Sequence, residues 1–421
     1  MALEQVFSCP RTLARLRANP LGRLLEEFCR WLLDGGFTRG CIRKHLCYAA
    51  HLNQHLGTGA DPPRERLSAR DVEGFFAAYP GYCRNRGPLA GHLRGVRSSI
   101  DRLIAFLRHQ GRFDAPRQAP LYQPLLDAYL AWLRKERDVT PGTLELRDRS
   151  LTRFLRWLGP QATVEGLSLL GAEQVEGFFL AEAKGQGPAA RRSMQAALRT
   201  FFRFCFQQGW IGCRLDRAVP TLRTYRLSTV PGGLSEAQAR RVLESVDRTT
   251  AVGRRDYAIL QLLYRYGVRA GQVRALRLAD IGWSDNRILF RATKNGKDSR
   301  LPLTREVGEP LLEYLRNARP HSSWPEVFLT CRAPYAPLGR THAISEIVRR
   351  HIDAAGIVVP HRGARVFRHG FAARMLEQGH SLKAVADVLG HRHLDTTFIY
   401  AKVDFPALEA VPLPWPEEEE R

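Results

Sequence analysis

The 421-residue sequence contains no long apolar run, few cysteines and far fewer acidic than basic residues. No apolar stretch reaches the roughly 18 residues that a transmembrane helix needs. The N-terminus also lacks the continuous apolar core of a signal peptide. The eight cysteines are scattered and never form a Cys-x-x-Cys pair. The sequence therefore predicts a cytoplasmic chain with reduced thiols and no structural zinc.

The shortage of acidic residues leaves a strongly basic chain. There are 64 Lys and Arg residues against 42 Asp and Glu residues, which gives a net charge of +22. Both halves contribute, because residues 1–225 carry +14 and residues 226–421 carry +8. Such an excess favours a polyanionic partner, and nucleic acid fits it better than a membrane surface.

The first half of the chain contains an internal duplication. Trp31 and Trp132 lie 101 positions apart, and a Val-Glu-Gly-Phe-Phe pattern that ends at Phe76 recurs at Phe179. Self-similarity of this kind marks a repeated structural unit, but two copies are too few for a solenoid. The apolar periodicity of each copy is helical. We therefore expect two tandem helical domains, over residues 1–115 and 116–217.

A basic linker at 218–233 precedes a third predicted domain at 234–405, and residues 406–421 form an acidic tail. Ser235 and Gln238 form a capping-box pattern that opens a helix. Asn295-Gly296 lies between two extended runs, 287–294 and 297–304, which predicts a β-hairpin. Further helices are expected around 342–355, 366–379 and 381–389. The predicted fold is thus mainly α with a small β-sheet, and its third domain is α+β.

Four patches of the third domain carry side chains suited to phosphate chemistry. They are Arg269 on the turn after Gly267, Lys294 at the hairpin tip, the trio Arg365, Arg368 and His369, and the segment from His391 to Tyr400. The trio falls at i, i+3 and i+4, which is one face of a helix. Each patch alone has a plainer interpretation: a capping arginine, a turn lysine, a basic surface stripe or a core tyrosine. His391 and His393 have no companion ligands that would indicate a metal site.

Taken together and in this order, the patches resemble the motifs of the tyrosine recombinase (phage integrase) family. Members carry an Arg after a Gly-hydrophobic pair, a Lys on a β-hairpin, a His-x-x-Arg pair, and a Leu-Gly-His motif followed by Tyr. The matching segments here are Gly267-Val268-Arg269, Lys294, Arg365-Val366-Phe367-Arg368, Leu389-Gly390-His391 and Tyr400. The resemblance covers 234–405 and extends more weakly over 121–215, which looks like the family's helical core-binding domain.

One position departs from the family pattern. Arg365 stands where the family usually has His. An arginine keeps the positive charge, but it does not readily give up a proton. His361, four residues earlier, is a candidate substitute for any proton transfer at that position.

The resemblance implies a site-specific recombinase or integrase that cuts and rejoins double-stranded DNA. Tyr400 would form a 3′-phosphotyrosyl bond, Lys294 would protonate the leaving 5′-oxygen, and Arg269, Arg368 and His391 would bind the phosphate. Arg365 would add a permanent positive charge. No cofactor or metal is implied. The implied assembly on DNA is a homo-oligomer, a tetrameric synapse, with accessory recombinases as further candidate partners.

Two other functions remain open at this point. A type IB topoisomerase-like enzyme would use the same chemistry, and a non-catalytic DNA-binding protein could keep the fold. Arg365 is the main support for the second. The sequence does not distinguish a phage, transposon or chromosomal role. It also leaves open whether the extra N-terminal repeat contacts DNA or another protomer.

Overall fold

The structure is a computed structural model, and it describes residues 1–18, 20–57, 62–82, 89–114, 120–222, 232–292, 298–339, 342–391 and 393–403. It contains two compact units. One comprises Met1–Arg117 together with Pro231–Arg421, and the other comprises Gln118–Val230. Across the described residues, no helix is long and apolar enough to cross a membrane.

The first helical region has its own apolar core, built around Phe28, Phe75 and Phe106. Thr38 caps one of its helices, since the Thr38 hydroxyl accepts a hydrogen bond from the backbone of Cys41. Its elements are α1 (Pro10–Arg17), α2 (Gly22–Asp34), α3 (Arg39–Leu56), β1 (Leu67–Ser68), α4 (Ala69–Tyr82), α5 (Leu89–His109) and β2 (Phe113–Asp114). The two short strands pair in parallel.

The second helical region forms the other compact unit and has a separate core. Phe154, Phe201 and Phe202 are fully buried in it. Its helices are α6 (Gln123–Arg137), α7 (Pro141–Leu158), α8 (Val164–Ser168), α9 (Ala172–Ala183) and α10 (Pro188–Gln207). Two tandem helical regions are therefore present, as the duplication predicts.

The duplication extends to the packing of aromatic rings. In each region an aromatic ring stacks on a tryptophan, which contacts a phenylalanine of the last long helix. The trios are Phe28, Trp31 and Phe106 in the first region, and Tyr129, Trp132 and Phe204 in the second. The stacked pairs have the same centroid separation, 6.1 Å, in both regions. The repeated sequence pattern thus encodes a repeated packing arrangement.

The last region combines helices with a small antiparallel sheet in the strand order β3-β4-β5. The Ser235 hydroxyl accepts from the backbone of Gln238, and the Gln238 side chain accepts from the backbone of Ser235, so the capping box is confirmed. The elements are α11 (Glu236–Glu244), α12 (Ala251–Tyr266), α13 (Ala270–Ala275), β3 (Ile281–Gly282), β4 (Arg287–Phe290), β5 (Ser299–Pro302), α14 (Arg305–Asn317), α15 (Ala343–Ala354), α16 (Arg365–Glu377) and α17 (Leu382–Leu389).

The predicted hairpin strands are present but shorter than expected. Strands β4 and β5 pair antiparallel, with Arg287 opposite Pro302 and Phe290 opposite Ser299. The predicted hairpin tip, 293–297, lies outside the described residues. The mainly α fold with a small sheet is confirmed, and the predicted domain limits remain predictions.

Candidate active site

Two helices end close to the predicted site, and each ends at a glycine with left-handed backbone geometry. Helix α12 ends at Gly267 (φ +58°), and α17 ends at Gly390 (φ +64°). Glycine adopts this conformation without strain, which makes it the usual residue after a helix. A side chain at Gly267 would also clash, since an added Cβ would lie 2.6 Å from Cδ1 of Phe371. Arg269 lies two residues after Gly267, and His391 directly follows Gly390.

Arg368 on α16 binds both helix ends. Its guanidinium donates to the carbonyl oxygens of Gly267 and Leu389, each at 2.9 Å. Carbonyls at helix C-termini carry partial negative charge, so they are favourable partners for a cation. The side chain is only 8% exposed. Burial lowers the pKa of Arg368 to about 10, and the neighbouring Arg269 acts in the same direction. Arg368 is therefore a buried and fixed cation at neutral pH.

Arg269 is held more loosely than Arg368. It donates to the carbonyl of Gly390 at 3.4 Å and to that of Leu389 at 3.5 Å, at the long limit for hydrogen bonds. Its side chain is half-buried, and burial lowers its pKa. The backbone of Arg269 is fixed independently, because its N–H donates to the side chain of Gln272. Its guanidinium can therefore turn toward an added anion at little cost.

His391 is a neutral imidazole with both nitrogens engaged. Its Nε2 lies 2.7 Å from Nη2 of Arg368, and its Nδ1 lies 2.6 Å from Oγ1 of Thr397. A guanidinium can only donate, so Nε2 accepts and the ring proton resides on Nδ1, which donates to Thr397. Burial lowers the pKa of His391 to about 4, and Arg368 and Arg269 contribute further.

Tyr400 reaches the same pocket from the turn Phe398–Val403. The side chain is 3% exposed and packs with Ala372 and Leu389. Its hydroxyl lies 3.0 Å from Nδ1 of His369. Burial raises the pKa of Tyr400, while the charges of Arg368, Arg269 and Arg365 lower it in part. The tyrosine is thus a core aromatic whose hydroxyl faces a cluster of cations.

The remaining predicted residues that the structure describes are not part of the buried cluster. Arg365 is exposed at the first position of α16, and its charge acts on Arg368 and Tyr400. Lys294 lies outside the described residues, so the structure does not describe it. His361 is exposed, and its charge lowers the pKa of His369.

Two contacts of the site were not anticipated from the sequence. His369 was placed on the helix face shared with Arg365 and Arg368, but it had no assigned role. Thr397, which fixes the tautomer of His391, was not singled out. Thr397 is fully buried, which only the structure shows, and the sequence around it carries no signal for this role.

The electrostatics of the pocket favour an anion. No carboxylate is among the described groups that shift the pKa values of Arg269, Arg368, His369, His391 or Tyr400. The cations are instead balanced by backbone carbonyls, which carry only partial charge. A phosphate group entering the pocket would supply the missing negative charge and the bidentate geometry that guanidinium groups prefer.

Comparison with known proteins identifies the family of the chain. Residues 233–406 match the Phage integrase family, and residues 126–209 match its N-terminal SAM-like domain. The chain is 33% identical to a Sinorhizobium fredii (strain NBRC 101917 / NGR234) protein that carries the name integrase/recombinase y4rA, over 96% of this chain and 97% of that protein. The chain belongs to the phage integrase family of tyrosine recombinases.

Two further matches each cover about two thirds of the chain or slightly more. Tyrosine recombinase XerD of Lacticaseibacillus casei is 29% identical, over 68% of this chain and 96% of that protein. Among solved structures, a lambda integrase dimer bound to a COC′ core site matches 71% of this chain and 99% of its own, with 15% identity and a TM-score of 0.52. That structural likeness concerns the fold alone.

Proposed function

We propose that the protein is a site-specific recombinase that cuts and rejoins double-stranded DNA through a 3′-phosphotyrosyl intermediate on Tyr400. The observation that carries this proposal is the convergence of Arg368, Arg269 and His391 on one pocket that also contains the Tyr400 hydroxyl. The absence of a counter-charge from carboxylates among the described residues around these groups supports a phosphodiester as the anion bound there.

The two arginines bind the non-bridging oxygens of the scissile phosphate. These oxygens gain negative charge as phosphorus becomes five-coordinate, so fixed donors stabilise the transition state more than the bound substrate. Arg368 is already held in place by two helix ends. Arg269, with its longer hydrogen bonds, completes the clamp when the phosphate enters.

Tyr400 attacks phosphorus, and the bond to the 5′-oxygen breaks. A free tyrosine has a pKa near 10 and is a poor nucleophile at neutral pH. The nearby cations stabilise its phenolate. Lys294 gives a proton to the leaving 5′-oxygen as general acid. A second 5′-hydroxyl then attacks the phosphotyrosine, and the energy of the broken bond is retained, so no nucleotide cofactor is consumed.

His391 and Arg365 support the phosphate in different ways. His391 has no proton on Nε2 in the free protein, because that nitrogen accepts from Arg368. The negative charge of a bound phosphate raises the imidazole pKa, so Nε2 can exchange its contact with Arg368 for a proton from solvent and donate to a phosphate oxygen, while Arg368 stays bound to the two helix-end carbonyls. Arg365 adds charge at the N-terminus of α16, where the helix dipole also favours an anion.

Double-stranded DNA is the proposed partner of the whole chain. The net charge of +22 supports binding dominated by phosphate contacts. Strand exchange requires two DNA sites, so a homo-oligomer, a tetrameric synapse, fits the reaction, and accessory recombinases are candidate partners. The seven described cysteines are all unpaired, which supports a reducing compartment such as the cytoplasm. The helical domains at 1–115 and 116–217 and the catalytic domain at 234–405 remain the proposed division.

Replacing the nucleophile is the direct test. Tyr400→Phe removes the attacking oxygen and keeps the ring in its apolar surroundings. On a nicked suicide substrate carrying the cognate site, the wild-type protein should form a covalent adduct and the variant none, while duplex binding stays nearly unchanged. Tyr257→Phe, on α12 and hydrogen-bonded to Gln261, is the matched control and should cleave normally. Adduct formation by Tyr400→Phe would overturn the assignment.

A second test addresses the arginine clamp. Arg269→Ala and Arg368→Ala should each slow cleavage by roughly a hundredfold or more, as expected for lost donors to a developing charge. DNA affinity should fall only modestly, since many other phosphate contacts remain. The exposed Arg316→Ala on α14 is the control. Wild-type cleavage by either pocket variant would show that the phosphate binds elsewhere.

A further inference from the structure

We propose that His369 is the base that accepts the proton of Tyr400 during DNA cleavage, an inference that rests on the proposed function. The Nδ1 atom of His369 lies 3.0 Å from the Tyr400 hydroxyl, and the two ring centroids are 5.5 Å apart. This distance is within the range for direct proton transfer to a general base. No other described imidazole has a hydrogen bond to this hydroxyl.

The direction of the hydrogen bond follows from the neighbouring arginine. Arg368 lowers the pKa of Tyr400 through its charge and its hydrogen-bonding capacity. A guanidinium can only donate and carries positive charge, so it favours the orientation in which the Tyr400 oxygen turns its lone pairs toward Arg368 and its proton away. The single hydroxyl proton is then available to His369, whose Nδ1 accepts it and whose own ring proton is on Nε2.

His369 is unprotonated at neutral pH, as a base must be. Burial, together with the charges of Arg365, Arg368 and His361, lowers its pKa to about 4. Among the described residues, these groups and Tyr400 are the titratable and charged groups that face it: two arginines from its own helix, His361 from the preceding loop and the tyrosine from the following 3-10 helix. A bound phosphate would oppose the arginine charges and raise its affinity for a proton.

Other candidates for the base are less well placed. Arg365 is exposed and does not readily release a proton. His361 is exposed and has no hydrogen bond to Tyr400 among the described contacts. His391 has both nitrogens engaged, with Arg368 and Thr397. The helix register explains why His369 is available, because it lies one residue beyond Arg368 on the face that Tyr400 packs against.

Each proton that moves during DNA cleavage has a donor and an acceptor in the site. The Tyr400 O–H bond breaks and its proton moves to Nδ1 of His369. The tyrosine oxygen bonds to phosphorus, the bond from phosphorus to the 5′-oxygen breaks, and that oxygen takes a proton from Lys294. In the rejoining step the incoming 5′-hydroxyl returns its proton to Lys294, and the departing Tyr400 oxygen recovers its proton from His369.

The test compares His369→Asn with wild-type protein in single-turnover cleavage of the suicide substrate between pH 5.5 and 9.5. At pH 7 the variant should be slower by roughly a hundredfold or more. Its deficit should shrink toward high pH, where hydroxide increasingly removes the Tyr400 proton in place of the base. His361→Asn, which removes the other imidazole of this segment, should follow the wild-type profile. An unchanged rate, or a deficit that stays constant with pH, would overturn the inference.

A sulfur substitution separates the base from the acid. When the leaving 5′-oxygen of the substrate is replaced by sulfur, the thiolate departs without a proton. Loss of the general acid should then be compensated, whereas His369→Asn should remain slow. Restored cleavage by His369→Asn on this substrate would place His369 on the leaving-group side and overturn the inference.

Failure of the proposed function can be distinguished from failure of this inference. If wild-type protein forms no adduct at all, the proposed function fails and this inference fails with it. If adducts form but His369→Asn does not fold, nitrogen NMR of wild-type protein decides. Nδ1 of His369 should be unprotonated, and its signal should shift in Tyr400→Phe because the hydroxyl donor is lost. A protonated Nδ1, or no shift, would overturn the inference.

Discussion

The two helical regions share an apolar framework and differ in their polar groups. Both place the same aromatic trio between two helices, with nearly equal ring separations. The first region, however, buries His45, Asn53 and Ser99 in its interior. The second buries one charged group, Asp216, which pairs with two arginines. The repeated pattern therefore determines the packing, while each copy has acquired its own polar contacts.

The last long helix of each copy shows the same contrast on its surface. On α10, Arg199 donates to the carbonyl of Val219 and Arg203 pairs with Asp216. On α5, Arg94, Arg97 and Arg102 have no ion pair with any described carboxylate. Two of the three stack on phenylalanine rings instead. Arg199 and Arg203 of α10 stabilise the chain itself, whereas Arg94, Arg97 and Arg102 of α5 are available to an external polyanion.

The largest expected effect tests the shared framework. Phe28→Ala and Tyr129→Ala each remove a fully buried ring at matching positions of the trio. Each should destabilise its own region by about 3–5 kcal/mol, as is typical for deleting a buried aromatic side chain. Urea-dependent hydrogen exchange of α3 and α7 measures the two losses separately. A loss confined to one region only would contradict the equivalence of the two cores.

Acidification should destabilise the two helical regions at different pH values. His45 is 7% exposed, and burial lowers its pKa to about 4, with Arg102 and Lys44 contributing. In the unfolded chain its pKa is about 6.5, so the unfolded state binds more protons between pH 6.5 and 4. Stability of the first region should therefore fall as the pH drops through that window.

The second region should respond at lower pH. Hydrogen bonding to Arg214, with help from Arg203, lowers the pKa of Asp216 to about 2. Its contribution to stability is present above the unfolded value of about 3.9 and is lost as the pH falls toward 2. Each pKa unit corresponds to about 1.4 kcal/mol. At pH 5, loss of stability should make the amide hydrogens of α3 less protected from exchange than at pH 7, while the protection of α10 is unchanged. The His45→Gln variant should not show this loss of protection in α3.

A smaller effect is expected from the arginines of α5. The triple substitution of Arg94, Arg97 and Arg102 by Gln should lower DNA affinity about tenfold, or about 1.4 kcal/mol. The slope of log affinity against log salt should become shallower by up to about 0.9 for each lost contact. Arg199→Gln on α10 is the control and should leave the slope unchanged.

The same variant distinguishes the two roles left open for the extra repeat. An unchanged affinity and salt slope, combined with failed pairing of two DNA sites, would assign α5 to contact between protomers. A reduced slope with intact pairing would assign it to DNA. The comparison with α10 favours DNA, because arginines without a carboxylate partner in the described structure are suited to phosphates.

Much of the site was predictable because it depends on local geometry. The spacing of Arg365, Arg368 and His369 specifies one helix face, and Gly267 and Gly390 specify helix ends. The partners of Arg368 were not predictable. They are backbone carbonyls and a histidine, and each becomes a neighbour only when α12, α16 and α17 pack together. The functions of all the site residues stay predictions, and Lys294 in addition lies outside the described residues.

The contact between His369 and Tyr400 shows the same limit of sequence analysis. The two residues are 31 positions apart, and no periodic pattern links them. Their proximity depends on how the turn after α17 packs against α16, which is a tertiary property. A resemblance to family motifs names residue types in order, but it does not indicate which of two neighbouring histidines, His361 or His369, faces the nucleophile.

The smallest expected effect concerns one oxygen atom that distinguishes the two aromatic trios. Tyr129 occupies the place of Phe28, and its buried hydroxyl makes no hydrogen bond within the described structure. The Thr200 hydroxyl lowers its pKa slightly but donates to the carbonyl of Ala196, and burial still raises the pKa of Tyr129 to about 12. An unsatisfied buried hydroxyl is unfavourable, so Tyr129→Phe should stabilise the second region by about 1 kcal/mol. The reverse change, Phe28→Tyr, should destabilise the first by at least that amount. Urea-dependent hydrogen exchange of α7 and α3 measures the two changes in stability. A loss of stability in Tyr129→Phe would mean that the Tyr129 hydroxyl has a hydrogen-bond partner in solution.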